Sequence, residues 1–562
     1  MFGFSIVQGC KTDLKCKDQI VYKNIICQNQ MIDKFVDDKL FFETKDYIII
    51  IDGVILNKQL LMQQYGISTW KETVLHLLNT NGDTFFSILR GSFAGAVYKK
   101  IENSWILFTD QLGSKFLYYY YQDNIFICSS MIDNIYHILS CNNILYHLDS
   151  YSSLLLLTYG FMLEDKTLCT EIRKITPGSF GTLNNGNVKI NCYYKLSNKT
   201  NNSISEQEAI EQIEILFTKA CKNEFSKDTE YGYKHAVALS GGLDCRMTSF
   251  VGDKLGYKQQ VNFTFSQSGY LDQVIASQIS SYLKHEWVYK TLDNGIWLFD
   301  VEKAVRMTGG NVAYTTIAHT NSMYSYVNFE ELGLLHSGQL GDVIIATHGN
   351  IHERPSKSDG AFAPRHVLEY DFNEYHNYPN KEMFLYYNRY LNGTNNGLQN
   401  VYNYTETLSP FLDLELIEYC LSLPDKLRKD HYIYHKWILA KHPDASNFVW
   451  EKTGNKINNP HFYIGNRVFY INNFVPRILN KIFKRKGGVD TLKHMNPFGY
   501  YIETNKELKD YLYAYYQYID KIDSYDVRKL CKIMIQEGTA QERLQVVTLC
   551  CAIKLYFYEN KL

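Results

Sequence analysis

Hydrophobic positions repeat with one period in the first third of the chain and with another beyond it. Up to residue 195 the apolar runs are short and strand-like. Tyr47-Ile48-Ile49-Ile50-Ile51 is a continuous run dominated by β-branched residues, and Asp52-Gly53 after it reads as a turn. Gly91 to Tyr98 and Trp105 to Thr109 flank Glu102-Asn103-Ser104, the pattern of a hairpin. Phe116 to Tyr121 with Ile125 to Ile127 reads as another, and Thr176-Pro177-Gly178 opens a turn before a third, centred on Asn184-Asn185-Gly186. An antiparallel, β-rich unit is expected over 1–195.

The polar stretch Leu196 to Glu206 reads as a linker. Beyond it Ile210, Ile213, Leu216 and Phe217 recur at helical spacing. His235 to Leu239 is a buried-strand run that meets a glycine turn. Val261 to Phe265 precedes a helical pattern from Asp272 to Leu283, and Leu332 to His336 is one more short apolar run. Strands alternating with helices predict a parallel α/β sheet over 205–465. From about residue 466 to 562 the pattern is helical, including the aromatic stretch Tyr511 to Tyr518.

Composition narrows the classes. A chain of 562 residues has room for about two to four domains. Its 58 basic and 59 acidic residues leave a net charge of −1, which argues against general affinity for nucleic acid or an anionic membrane. The 13 Cys form no CxxC pair and no Cys/His spacing of a zinc site, so a reduced, cytoplasmic chain is expected. No basic segment precedes the opening MFGFSIVQGC, and no run reaches membrane-spanning length, so neither a targeting segment nor a membrane span is expected.

The chemistry concentrates in Ala236-Val237-Ala238-Leu239-Ser240-Gly241-Gly242-Leu243-Asp244. A strand runs into Ser-Gly-Gly-x-Asp and then a helix. The glycines let backbone N–H groups and the helix N-terminus face a polyanion, Ser240 adds a hydroxyl, and Asp244 can hold a magnesium ion. The Gly-Lys-Ser/Thr of a Walker loop is missing, and the pattern is that of ATP pyrophosphatases, which leave AMP on a carboxylate. Ser337-Gly338-Gln339-Leu340-Gly341-Asp342 ends another strand, where a second metal-binding acid would sit.

These residues resemble the asparagine synthetase family, over most of the chain. Ser240 to Cys245 is similar to the family's SGGLDS, and Ser337 to Val343 to its SGEGSDE. Leu408 to Asp413, led by Glu406, resembles ExRxPFLD. The resemblance implies an Ntn-type αββα sandwich, then an adenine-nucleotide α-hydrolase-like (PP-loop) synthetase domain with C-terminal helices. It implies ATP held by Leu239, Ser240, Gly241, Gly242, Asp244, Phe265, Ser337 and Gly338, and magnesium on Asp244 and Asp342. Lys452, with Lys456 as the rival, matches the lysine that faces the adenylate. Glu406 and Gln339 complete the candidate catalytic set, with Tyr386 and Tyr387 as further candidate bases.

Departures from the family decide which function is expected. The family's nucleophilic cysteine after Met1 is Phe2 here. Its glutamine-binding Asn-Gly-Glu is Asp52-Gly53-Val54. Gln339, Gly341, Val343 and Leu408 replace a glutamate, a serine, an acid and an arginine. The expectation is an adenylate-forming amide ligase without glutamine hydrolysis, like β-lactam synthetases, lasso-peptide cyclases and synthetase-like proteins of surface-polysaccharide clusters. Its partners would be a small-molecule, glycan or peptide carboxylate and an amine, with a homodimer or a biosynthetic-cluster protein as candidate companions. The alternatives are an ammonia-dependent asparagine synthetase, a scaffold that has lost catalysis, and a tRNA-acting pyrophosphatase using the basic cluster Lys481, Lys484, Arg485 and Lys486.

Overall fold

The computed structural model describes residues 2–184, 186–347, 350–464, 467–470 and 491–558. Its first part holds twelve strands: β1 (Phe4–Gln8), β2 (Asp18–Tyr22), β3 (Ile25–Asn29), β4 (Leu40–Glu43), β5 (Tyr47–Ile55), β6 (Gly91–Lys99), β7 (Ser104–Thr109), β8 (Tyr118–Gln122), β9 (Ile125–Ser129), β10 (Ile172–Lys174), β11 (Ser179–Asn184) and β12 (Asn187–Cys192). They form two six-stranded sheets, ordered β10-β8-β9-β1-β3-β2 and β12-β11-β7-β6-β5-β4. All pairings are antiparallel.

The isoleucine run of β5 shows why the sheets stack. With a side-chain period of two, Ile48 and Ile50 join Phe4, Ile6, Leu107 and Phe126 between the sheets. Ile49 and Ile51 face the other way and pack under α1 (Lys58–Tyr65) and α2 (Trp70–Asn81). The far sheet is covered by α3 (Ile132–Cys141) and α4 (Ser150–Tyr159). Both faces of β5 are buried, each isoleucine contributing roughly 1.5–3 kcal/mol. The result is a helix–sheet–sheet–helix sandwich.

One expected turn is absent. β5 runs straight through Asp52-Gly53, pairing Asp52 with Ala94 and Gly53 with Phe93. Gly53 holds φ +134, and a Cβ there would stand 2.1 Å from the Ser92 carbonyl oxygen. The glycine permits a close strand crossing rather than a reversal.

After α5 (Glu206–Glu230) comes a parallel sheet ordered β15-β14-β13-β16-β17. Its strands are β13 (Lys234–Ala238), β14 (Gln260–Ser266), β15 (Glu286–Thr291), β16 (Leu332–His336) and β17 (Thr407–Leu408). All four pairings are parallel. α6 (Leu243–Lys254) follows β13 and α7 (Leu271–Leu283) follows β14, as the change of period requires.

The C-terminal helices do not stand apart. The helix Ala540–Ala552 starts at a capping box of Thr539 and Glu542 and packs back on the first half. Gln545 Nε2 donates to the Leu156 carbonyl of α4 at 3.1 Å, and Tyr556 stacks on Tyr136 of α3 at 4.0 Å. The expectation of helix from 466 onward fails at Arg467–Tyr470, a strand paired with His461–Ile464. The basic cluster from Lys481 to Lys486 lies outside the described residues. Among the described residues no helix is long and apolar enough to cross a membrane.

Candidate functional site

At the C-terminal end of β13 the chain turns through Ser240-Gly241-Gly242 into α6. Ser240 Oγ accepts from the Gly242 N–H at 3.2 Å, and Asp272 at the start of α7 accepts from the Gly241 N–H at 2.7 Å. Arg246, fully buried, braces the turn from below. It donates to the carbonyls of Gly241, Ala445, Phe448 and Val449, tying the loop to the segment that leads into Lys452.

The loop after β16 meets this turn. Gly338 packs so tightly on the first turn of α6 that a Cβ would stand 2.2 Å from the Cys245 nitrogen. A Cβ at Gly341 would stand 2.7 Å from Asp244 Cγ, so the glycine that replaces a serine lets the second loop close on the first acid. The Asp342 N–H donates to Asp244 Oδ2 at 3.0 Å, and Tyr434 Oη donates to Asp244 Oδ1 at 2.8 Å. Burial, then the facing Asp342, pushes the Asp244 carboxyl up to about 8; Tyr434 and the charge of Lys452 pull the other way. A buried carboxylate whose charge is opposed by a neighbouring one favours a divalent cation beside it, so the two acids fit a metal such as magnesium.

The structure thus brings Ser240, Gly241, Gly242, Asp244, Gly338 and Asp342 together, with Lys452 close enough for its charge to reach Asp244. Leu239 is buried in the core beneath the turn, and Phe265 is half-buried at the end of β14, its ring 5.2 Å from that of His319. Ser337 Oγ is used internally, donating to the Leu408 carbonyl. Gln339 lines a cavity of about 330 Å³ with His319, Arg389, Phe161 and Phe362, and its Oε1 is buried without a hydrogen-bond partner.

Three candidate bases are spent elsewhere. Glu406 is fully buried, with Lys39 at 2.9 Å and Lys115 at 2.9 Å. Tyr386 Oη donates to the Val343 carbonyl, and Tyr387 Oη accepts from the Leu196 N–H. Tyr434 went unnoticed in the sequence, since nothing local to the helix Tyr432–Lys441 marks it.

Glu406 belongs to a buried ion cluster that joins the two halves. Lys115 stands 2.7 Å from Asp52 and Lys39 3.8 Å from it. Burial opposes ionisation of Asp52, but Lys115 and Lys39 outweigh it and hold the carboxyl below its usual range. Beside this cluster Phe2 packs on Met131 and on Tyr402, whose ring is 5.7 Å away and comes from the parallel-sheet half. Lys115 Nζ lies 4.6 Å from the same ring. Aromatic rings and ion pairs thus fill the space around Phe2 and Asp52.

A second cluster lies directly below the Ser337 loop. His336 Nε2 is 2.7 Å from Asp228 and Nδ1 is 3.3 Å from Glu224, while Phe225 stacks on the ring at 3.8 Å. Burial works against the charge, yet Asp228 and Glu224 raise His336 to about 9.

Residues 34–194 match the glutamine amidotransferase domain family. Asparagine synthetase B [glutamine-hydrolyzing] of Escherichia coli (strain K12) is 20% identical over 350 residues, covering 57% of this chain and 55% of that protein. The first part of the chain thus carries an amidotransferase-type domain, and the chain is similar to asparagine synthetase B over about half its length. It spans about half the length of that curated relative. Among solved structures, the glutamine phosphoribosylpyrophosphate amidotransferase of B. subtilis aligns with 51% of this chain and 59% of its own, at 11% identity and a TM-score of 0.23. An allosteric regulatory enzyme of purine biosynthesis aligns with 51% and 74%, at 11% identity and a TM-score of 0.25.

Proposed function

We propose that this chain is an ATP-dependent ligase that activates a carboxylate by adenylation and passes it to an amine, without hydrolysing glutamine. The observation that carries the reading is the meeting of Asp244 and Asp342 beside the Ser240–Gly242 turn at the ends of neighbouring parallel strands. The turn and the N-terminus of α6 suit the phosphates of ATP. A magnesium ion held by Asp244 and Asp342 would neutralise phosphate charge. Lys452, near the same carboxylate, is placed to stabilise charge that develops on the nucleotide. The cavity behind Gln339 suits the body of the carboxylate substrate, with the Gln339 carboxamide as an orienting group rather than a base.

The amine must come from a source other than glutamine. Phe2 carries no nucleophile, and Asp52, a carboxylate already paired with Lys115 and Lys39, has no amide N–H to offer a glutamine carboxylate. Calorimetry should therefore find one Mg-ATP site in the wild type, and Asp244→Asn should weaken binding about 10- to 100-fold while leaving the melting temperature unchanged or raised. Turnover with a competent carboxylate should release AMP and pyrophosphate. Release of ADP, or no binding of Mg-ATP, overturns the proposal. Asparagine made from aspartate and ammonium would return the chain to the ammonia-dependent asparagine synthetases.

A further inference from the structure

We propose that Asp13, His137 and Cys141 form a binding site for a zinc-class divalent cation, remote in sequence from the phosphate loops. His137 and Cys141 stand four residues apart on α3, so their side chains leave one face of the helix. Asp13 reaches them from the segment between β1 and β2. Its Oδ1 lies 2.7 Å from His137 Nε2, which lies 3.5 Å from Cys141 Sγ. One donor atom from each residue falls within 4.8 Å of the others.

The spacing suits a tetrahedral ion. With Zn–N of about 2.0–2.1 Å and Zn–S of about 2.3 Å, nitrogen and sulfur ligands stand about 3.5 Å apart, the separation already present. The carboxylate oxygen has to retreat by roughly half an ångström to admit the ion. The Asp13 side chain is 69% exposed and free to make that movement.

The segment that carries Asp13 is fixed on both sides beforehand. Asn142, just past α3, accepts from the Lys11 N–H at 3.1 Å and donates to the Lys11 carbonyl at 2.8 Å. Gln28 of β3 and Gln30 just past it donate to the carbonyls of Leu14 and Lys15. A thiolate with an imidazole selects zinc-like ions over magnesium or calcium. Cys141 would bind as the thiolate, so metal binding releases its proton. All three residues line a surface cleft of about 750 Å³ shared with Asp133 and Arg306, which leaves the fourth position to water or a small anion.

The other converging group among the described residues, Asp228, His235 and His336, is a poorer host. Both His336 nitrogens already face carboxylates and leave no lone pair for a metal.

The test uses the full chain, kept reduced with a phosphine, stripped with a chelator and titrated with cobalt(II). A sulfur-to-cobalt charge-transfer band should grow to one equivalent and be displaced by zinc. Cys141→Ser should remove the band. Asp13→Asn and His137→Gln should each weaken binding at least about tenfold, by analogy with the loss of a supporting group. Because these side chains are exposed, the variants should melt as the wild type does in chelator. No band, or a band unchanged in Cys141→Ser and therefore due to another of the 13 thiols, overturns the proposal.

Discussion

Phe2 shows how much one side chain can exclude. It is 4% exposed and packed between Met131 and Tyr402, so it is a core residue whose side chain carries no nucleophilic group. Phe2→Cys should leave glutamine untouched, because Asp52 stays paired with Lys115 and Tyr402 stays in the pocket. It should also lower stability by somewhat less than the about 3–5 kcal/mol typical of Phe→Ala in a core. Glutamate release from glutamine and a urea melt check the two halves of this statement, and a measurable glutaminase rate contradicts it. The substitution at Phe2 could be read in the sequence, since a nucleophile is present or it is not. The partners of Asp52 could not, because Lys39, Lys115 and Glu406 meet only through the fold. For the same reason Glu406 passed for a catalytic acid.

Elements with strong periodicity were the legible ones. β16 is found where Leu332 to His336 places it, and α7 lies within one residue of its expected start, since burial on one face fixes both. β5 was cut short because Asp-Gly usually reverses a chain, whereas pairing along β6 carried it four residues further. At the end of β16, His336 adds a property that the apolar pattern hid. Its folded value of about 9 stands above the ordinary 6.5, so the stability it contributes is complete below about pH 6.5 and is lost as pH rises through about 9. Glu224, Asp228 and His235 face it, with Phe225 stacked on its ring and Lys34 near Asp228. His336→Gln should remove that portion of the pH dependence. Unfolding free energies of wild type and variant from urea melts, taken from pH 6 to 9.5, should converge by an amount on the order of 1–3 kcal/mol. Parallel profiles would show that His336 is not charged in the folded protein.

On the scale of the whole molecule, the buried ions act across the two halves. Lys115 and Lys39 belong to the sandwich and Glu406 to the edge of the parallel sheet, so the cluster is an internal interface. Lys115→Met leaves two buried carboxylates to share Lys39 alone and should cost about 3–5 kcal/mol. Adding Asp52→Asn should recover part of the loss, because one uncompensated charge is gone. A melting temperature that falls further in the double variant would refute this account.

The return of the helix Ala540–Ala552 to α3 and α4 bears on how such a chain is made. The helical layer of the sandwich cannot be finished until residues some four hundred positions downstream have been synthesised, as the stacking of Tyr556 on Tyr136 requires. During translation the apolar faces of α3 and α4 therefore wait for their last partner, for tens of seconds at about 5–20 residues per second. Contacts of such long sequence separation slow folding and leave sticky intermediates. A nascent chain of this design leaves those faces uncovered until the helix Ala540–Ala552 emerges, and a chain truncated before residue 540 should expose them, measurable as increased binding of a hydrophobic dye.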